Sequence, residues 1–143
     1  AVTRGQMAAF MHRLADDQSN DGFSVWHDAA VSIDGVSTYE TVLELTGLPA
    51  GSYVIMAKAH MQNSQLVNNA APACRLYADA QYDHVSATIE PFHHVPASWT
   101  VVNTFTADTN AAQLKCLDGG NNVNLFNMKI TAIGVNNLTN NSG

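Results

Sequence analysis

Apolar positions along the chain follow one period up to residue 15 and another after residue 22. In AVTRGQMAAFMHRLA, Met7, Phe10, Met11 and Leu14 recur at i, i+3, i+4 and i+7, the spacing that lines one face of an α-helix. Thr3 and Gln6 add a capping-box pair, so a short amphipathic helix is expected over residues 1–15. Residues 16–22, DDQSNDG, are polar and aperiodic and read as a linker. Thereafter eight strand-like segments are separated by Gly, Pro and Asn turn signals: FSVWHDAAV, YETVLEL, SYVIMAKAHM, ACRLYADA, HVSATIE, WTVVNTFTA, AQLKCL and NVNLFNMKITAIGV. Short strands at this spacing predict an all-β, antiparallel two-sheet sandwich over residues 23–136, jelly-roll-like, followed by a fraying Asn-rich tail over 137–143.

Alternation within the segments assigns faces. Tyr53, Ile55, Ala57 and Ala59 point one way and Val54, Met56, Lys58 and His60 the other. In the last segment the apolar set is Val123 and Leu125, then Met128 and Ile130; this change of parity predicts a bulge near Asn127. Apolar side chains on outer faces, such as Val54 and Met56, point to a second buried surface, hence a subunit contact. The two cysteines continue inward sets, Cys74 with Leu76 and Ala78, Cys116 with Leu114 and Ala112. Inward cysteines on two strands can meet in the core. A disulfide would place the chain in an oxidising, extracellular setting, whereas two buried thiols would suit a cytosolic one. Neither has a CxxC partner for zinc.

Charge removes several functions. Of 143 residues only 13% are charged, with six Lys and Arg against twelve Asp and Glu, for a formal charge of −6. The cations are scattered singly in sequence, whereas nucleic acid requires clustered cations to displace its counterions. Anionic membrane surfaces are disfavoured likewise. No apolar run reaches the roughly 20 residues of a membrane-spanning helix, so membrane insertion is not expected. The chain opens on Ala1 rather than Met, as a processed or trimmed product would.

Candidate chemistry is thin. His84, His93, His94 and Asp79 could assemble a metal site, but their spacing does not require one; solvated loop histidines are the simpler reading. No GxSxG elbow surrounds any Ser. The carboxylates Glu40, Glu44, Glu90, Asp79 and Asp83 supply no evident catalytic pair; Glu40 and Glu44 are expected together on a solvated sheet face. DDQSND and DGGNN offer oxygens without EF-hand spacing. No cofactor, metal or enzymatic activity is expected. Arg75, Tyr77 and Asp79 form an outward stripe, and Tyr77, Tyr82 and Trp99 are candidate ligand-stacking residues, weighed against the core-filling role of most aromatics. Two sequons, at Asn137 and Asn140, complete the inventory.

Thr3, Arg4, Gln6, Met7, Ala8, Phe10 and Arg13 resemble the end of an S-layer homology repeat, a cell-wall-anchoring module of bacterial surface proteins. The resemblance covers about 14 residues and implies a bacterial exported protein, with a cell-wall polymer among its expected partners. Residues 23–136 resemble secreted jelly-roll domains of the C1q/TNF type, through LPAGSYVIMAKAHMQN, the cysteine pair and VNLFNMKITAIGV. That resemblance implies self-association into a trimer, larger assembly or filament and brings no catalytic residues. The expectation is therefore a secreted or cell-surface structural or adhesive module, with the face of Met7, Phe10, Met11 and Leu14 as an assembly contact. A carbohydrate-binding module is the alternative.

Overall fold

The computed structural model describes residues 21–33, 37–119 and 122–143. The expected helix over residues 1–15 and most of the linker that follows lie outside the described residues. Nine strands follow: β1 (Gly22–His27), β2 (Val31–Ile33), β3 (Glu40–Leu48), β4 (Gly51–Asn63), β5 (Ala73–Ala78), β6 (Gln81–Ser86), β7 (His94–Phe105), β8 (Asn110–Leu117) and β9 (Val123–Val135). All pair antiparallel, in one sheet of order β1-β9-β4-β7 with β2 also on β9, and a second of order β3-β8-β5-β6. Strands adjacent in each sheet are mostly distant in sequence, as the crossing connections of a jelly roll require.

The described residues hold nine strands where the sequence suggests eight segments, because the first strand divides opposite an irregularity in β9. Between β4 and β9 the register steps from Lys58↔Lys129 to His60↔Phe126, so β9 holds one residue more than its partner. The surplus lies at Asn127, whose φ is 51°, a left-handed conformation that Asn tolerates better than most residues. Val123 and Leu125 before it, and Met128, Ile130 and Ala132 after it, are therefore all buried, as the parity change predicts. On the other side of β9 the first strand breaks at the same level: β1 pairs as far as Met128 and β2 resumes at Leu125. The Asn127 amide donates to the Asp28 carbonyl across the gap (3.2 Å).

The core lies between the inner faces. Tyr53, Ile55, Ala57, Ala59 and Met61 of β4 are buried, facing Leu76, Leu114 and their neighbours from the other sheet. Each large aliphatic buried this way contributes about 1.5–3 kcal/mol. Trp99 is 1% exposed, and its indole Nε1 donates to the Cys74 carbonyl (3.2 Å), tying β7 of one sheet to β5 of the other. Cys74 and Cys116 are disulfide-bonded. They sit directly opposite each other on β5 and β8, with Cα atoms 4.1 Å apart, so the bond lies within one sheet on its inner face.

Among the segment boundaries that move, two bear on the histidines. His94 opens β7 rather than ending a loop, and β6 begins at Gln81, which places His84 inside a strand. Among the described residues there is no helix long and apolar enough to cross a membrane.

Candidate functional site

The outer face of the four-stranded sheet gathers the outward stripe seen in sequence. β5 is central there, and its register sets Arg75 opposite Lys115 on β8 and opposite His84 on β6. The next outward row sets Tyr77 between Gln113 and Tyr82. Strand alternation turns the half-buried Arg75, Tyr77, Gln113 and Lys115 to this side, because Cys74, Leu76, Leu114 and Cys116 take the other. The Arg75 guanidinium lies between two rings, 4.5 Å from the Tyr39 centroid and 4.6 Å from that of Tyr82. Its Nη1 donates to the Tyr77 hydroxyl (3.1 Å) and its Nε to His84 Nδ1 (3.2 Å). The bond to Tyr77 and the surrounding phenols raise its pKa above the ordinary arginine value. Lys115 Nζ stands 5.5 Å from the Tyr77 ring centroid. Beside these cations runs an open groove of about 560 Å³, lined by Tyr77, Asp79, Thr109, Asn110, Gln113 and Lys115 among others.

The candidate stacking residues therefore separate. Tyr77 and Tyr82 are neighbours, with ring centroids 5.3 Å apart, and Tyr82 is 50% exposed. Trp99 belongs to the core and is corrected from a surface ligand contact to a packing residue; its position on β7 faces inward between the sheets. Lys115 is the functional candidate that sequence reasoning passed over; Arg75 entered it only as part of the outward stripe, and Tyr39 only among the aromatics that could form a stacking platform. The signal was the outward parity of Arg75 and Lys115, but which strands adjoin is not written in that parity.

The histidines and carboxylates are not brought together. His84 meets Arg75, His93 pairs with Glu90 (3.1 Å), and His94 lies edge-on to His60 and Phe126. Asp79 accepts from Asn103 Nδ2 (3.3 Å) and Asp83 from the Thr100 amide (2.9 Å). Both aspartates thus fasten the β5–β6 hairpin to β7, and Asp83 occupies an amide on that edge strand. Glu40 and Glu44 do not share a face. A bulge after Thr41 sets Glu40 opposite the inward Cys116 and Glu44 opposite the outward Gln113, which donates to it (3.0 Å). Met7, Phe10, Met11 and Leu14 lie outside the described residues.

The outer face of the five-stranded sheet carries a small group of apolar side chains. Val102, Val54 and Ile133 form one row across β7, β4 and β9, and Thr100, Met56 and Thr131 the next. Met56 is 40% exposed and Ile133 41%, while Trp26 of β1, 66% exposed, stands beside Lys129. Lys58 and Lys129 oppose each other along the margin of this patch, flanking a small depression of about 240 Å³ with Met56, Ala57 and Thr131. Beyond them His60 stacks on Phe126, with centroids 5.2 Å apart at 15°.

No protein-family model matches the chain, and no curated protein matches it. The resemblance of residues 3–13 to an S-layer homology repeat therefore gains no support. Among solved structures the chain is similar to a chain of the T13 particle of infectious bursal disease virus (TM-score 0.61, 9% identity), covering 80% of this chain and 31% of that one. It spans about a third of that viral chain. It is similar along nearly the whole of two smaller proteins: PRD1 vertex protein P5 (TM-score 0.54, 13% identity, 82% of this chain and 99% of that one) and the globular domain of zebrafish complement 1qA (0.50, 12%, 82% and 98%). At such identities the likeness is one of fold, and by fold the described chain is a jelly-roll-like β-sandwich.

Proposed function

We propose that this protein is a structural building block of a secreted or cell-surface assembly, associating with further copies of itself through the outer face of its five-stranded sheet. The observation that carries this reading is the apolar patch formed by Val54, Met56, Val102 and Ile133 on the three strands β4, β7 and β9. A β-sandwich needs only its inner faces for a core, so apolar rows on an outer face mark a surface meant to be covered. A second copy is the occupant favoured by the fold's company: the similar structures include a chain of an icosahedral viral particle and a vertex protein. The disulfide supports an oxidising compartment. Placement at a bacterial surface rests on the resemblance of residues 3–13 alone. No catalytic step enters this reading.

Sedimentation velocity across a concentration series tests it. Association is expected to rise with concentration and with salt, because Lys58 and Lys129 at the patch margin repel their counterparts until screened. Met56→Glu and Ile133→Glu are expected to give a monomer with unchanged unfolding, since both side chains are exposed in the single chain. A wild-type monomer at millimolar concentration overturns the reading.

A second reading, glycan binding, is favoured by one observation on the opposite sheet. Tyr77, with Thr109, Asn110 and Gln113, lines an open groove there, the mix of aromatic surface and hydroxyl or amide groups that polyhydroxylated ligands require.

A further inference from the structure

The cations of the four-stranded sheet are arranged at a cost that folding does not require. Two of the six Lys and Arg in a chain of charge −6 are set directly opposite each other, Arg75 against Lys115. Like charges at directly opposed positions of a sheet destabilise the pairing. Among the described residues, Arg75 meets the Tyr39 and Tyr82 rings, the Tyr77 hydroxyl and His84 Nδ1, and no carboxylate. Contact with two rings restrains the guanidinium without neutralising it. Of its five N–H donors these contacts engage two, leaving the others for a planar oxyanion approaching along the free edge. The aromatic rings therefore serve less as a flat platform for a neutral sugar than as a mount for positive charge.

The groove next to this mount adds the second half of a ligand. From Lys115 and Tyr77 it extends past Gln113 to Thr109, Asn110 and Asp79. These are hydroxyl, amide and carboxylate groups suited to sugar hydroxyls. Asp79 at the far end disfavours an extended polyanion, as does the charge of the whole chain. We propose that the outer face of the four-stranded sheet binds an acidic saccharide, with a ring carboxylate at Arg75 and Lys115 and the adjoining hydroxyls along the groove to Asp79 and Asn110. This rests on the glycan-binding reading and narrows it to uronate-type sugars. It is independent of the self-association face, which lies on the other sheet.

Isothermal titration with matched trisaccharides tests it, using oligomers in which one residue is galacturonate, glucuronate or mannuronate and the others are neutral, together with neutral galactotriose and inorganic sulfate alone. At least one uronate oligomer is expected to bind at least tenfold more tightly than galactotriose and sulfate, and to weaken with added salt. Arg75→Gln and Lys115→Gln are each expected to lower that affinity tenfold or more. Lys115→Gln relieves the like-charge pair and is expected to leave thermal unfolding unchanged or improved, so a loss of binding in this variant is not a loss of fold. Equal binding of galactotriose and the uronates overturns the proposal while leaving glycan binding standing. Sulfate binding as tightly as the uronates, or affinity unchanged in both variants, overturns it as well. Failure of every saccharide to bind overturns both.

Discussion

Asn63 carries more of the architecture than its size suggests. It ends β4, is 0% exposed, and its Nδ2 donates to the carbonyls of Asn68 and Ile89 (2.8 and 2.9 Å) while its Oδ1 accepts from the Gln65 amide (2.9 Å). Its own backbone bonds Phe92 and His93. One buried amide thus organises both the loop after β4 and the loop before β7, at the end of the sandwich where Leu66, Val67 and Phe92 are displayed to solvent. Asn63→Ala leaves several backbone groups without partners, and urea unfolding is expected to show a loss of about 2–4 kcal/mol. Tyr53 behaves differently. Its hydroxyl donates to the Pro49 carbonyl (2.9 Å), and burial, with Asp21 nearby, pushes its pKa above the ordinary tyrosine value. The folded state therefore holds the phenol proton more tightly than the unfolded state. That contribution is complete below the unfolded value of 10.0 and is lost as pH rises through the folded one. Tyr53→Phe is expected to cost about 1 kcal/mol at neutral pH and to flatten this alkaline limb, which thermal melts from pH 8 to 12 would reveal.

At the scale of elements, β9 decides the arrangement of its whole sheet. The surplus residue at Asn127 turns Val123 and Leu125, and then Met128 and Ile130, into one buried set. Asn127→Gly is expected to be neutral or slightly stabilising, because Gly meets no penalty at a φ of 51°. Asn127→Val is expected to cost about 1–3 kcal/mol. Deletion of Asn127 places half of the strand's apolar side chains on the wrong face and is expected to abolish cooperative unfolding in circular dichroism. This bulge was legible in sequence because the apolar parity changed across it. The bulge in β3 carried a quieter sign, the apolar doublet Val42–Leu43, and the shared face expected for Glu40 and Glu44 was lost to it. Strand faces could be read from period-2 patterns, as Cys74, Leu76 and Ala78 against Arg75 and Tyr77 show. Strand neighbours could not. The adjacency of Arg75 and Lys115 depends on pairing between strands about 40 residues apart, which local alternation does not encode. Trp99 was misplaced for a related reason: an aromatic reads the same in sequence whether its strand face is covered or open.

For the whole molecule, the disulfide closes a loop of 42 residues, and loop-closure entropy assigns it about 4 kcal/mol. Reduction, or the double change Cys74→Ala with Cys116→Ala, is expected to lower the denaturation midpoint substantially while β5 and β8 remain paired in the folded state. Scanning calorimetry with and without reductant checks this. The same bond has a mechanical side. The loop it closes holds β6 from one sheet and β7 from the edge of the other. Tension applied through the flanking chain cannot draw out those 42 residues, which withholds about 140 Å of contour length. The outermost pair offers the opposite behaviour. β1 and β9 run antiparallel, with Gly22 against Ile133, so chain leaving the two strands departs from one end and peels them apart one pair at a time. A string of such units pulled lengthwise would yield early at that seam and then stop at the covalent ring. In the proposed assembly, force would then be carried far better across broad faces than along the chain itself.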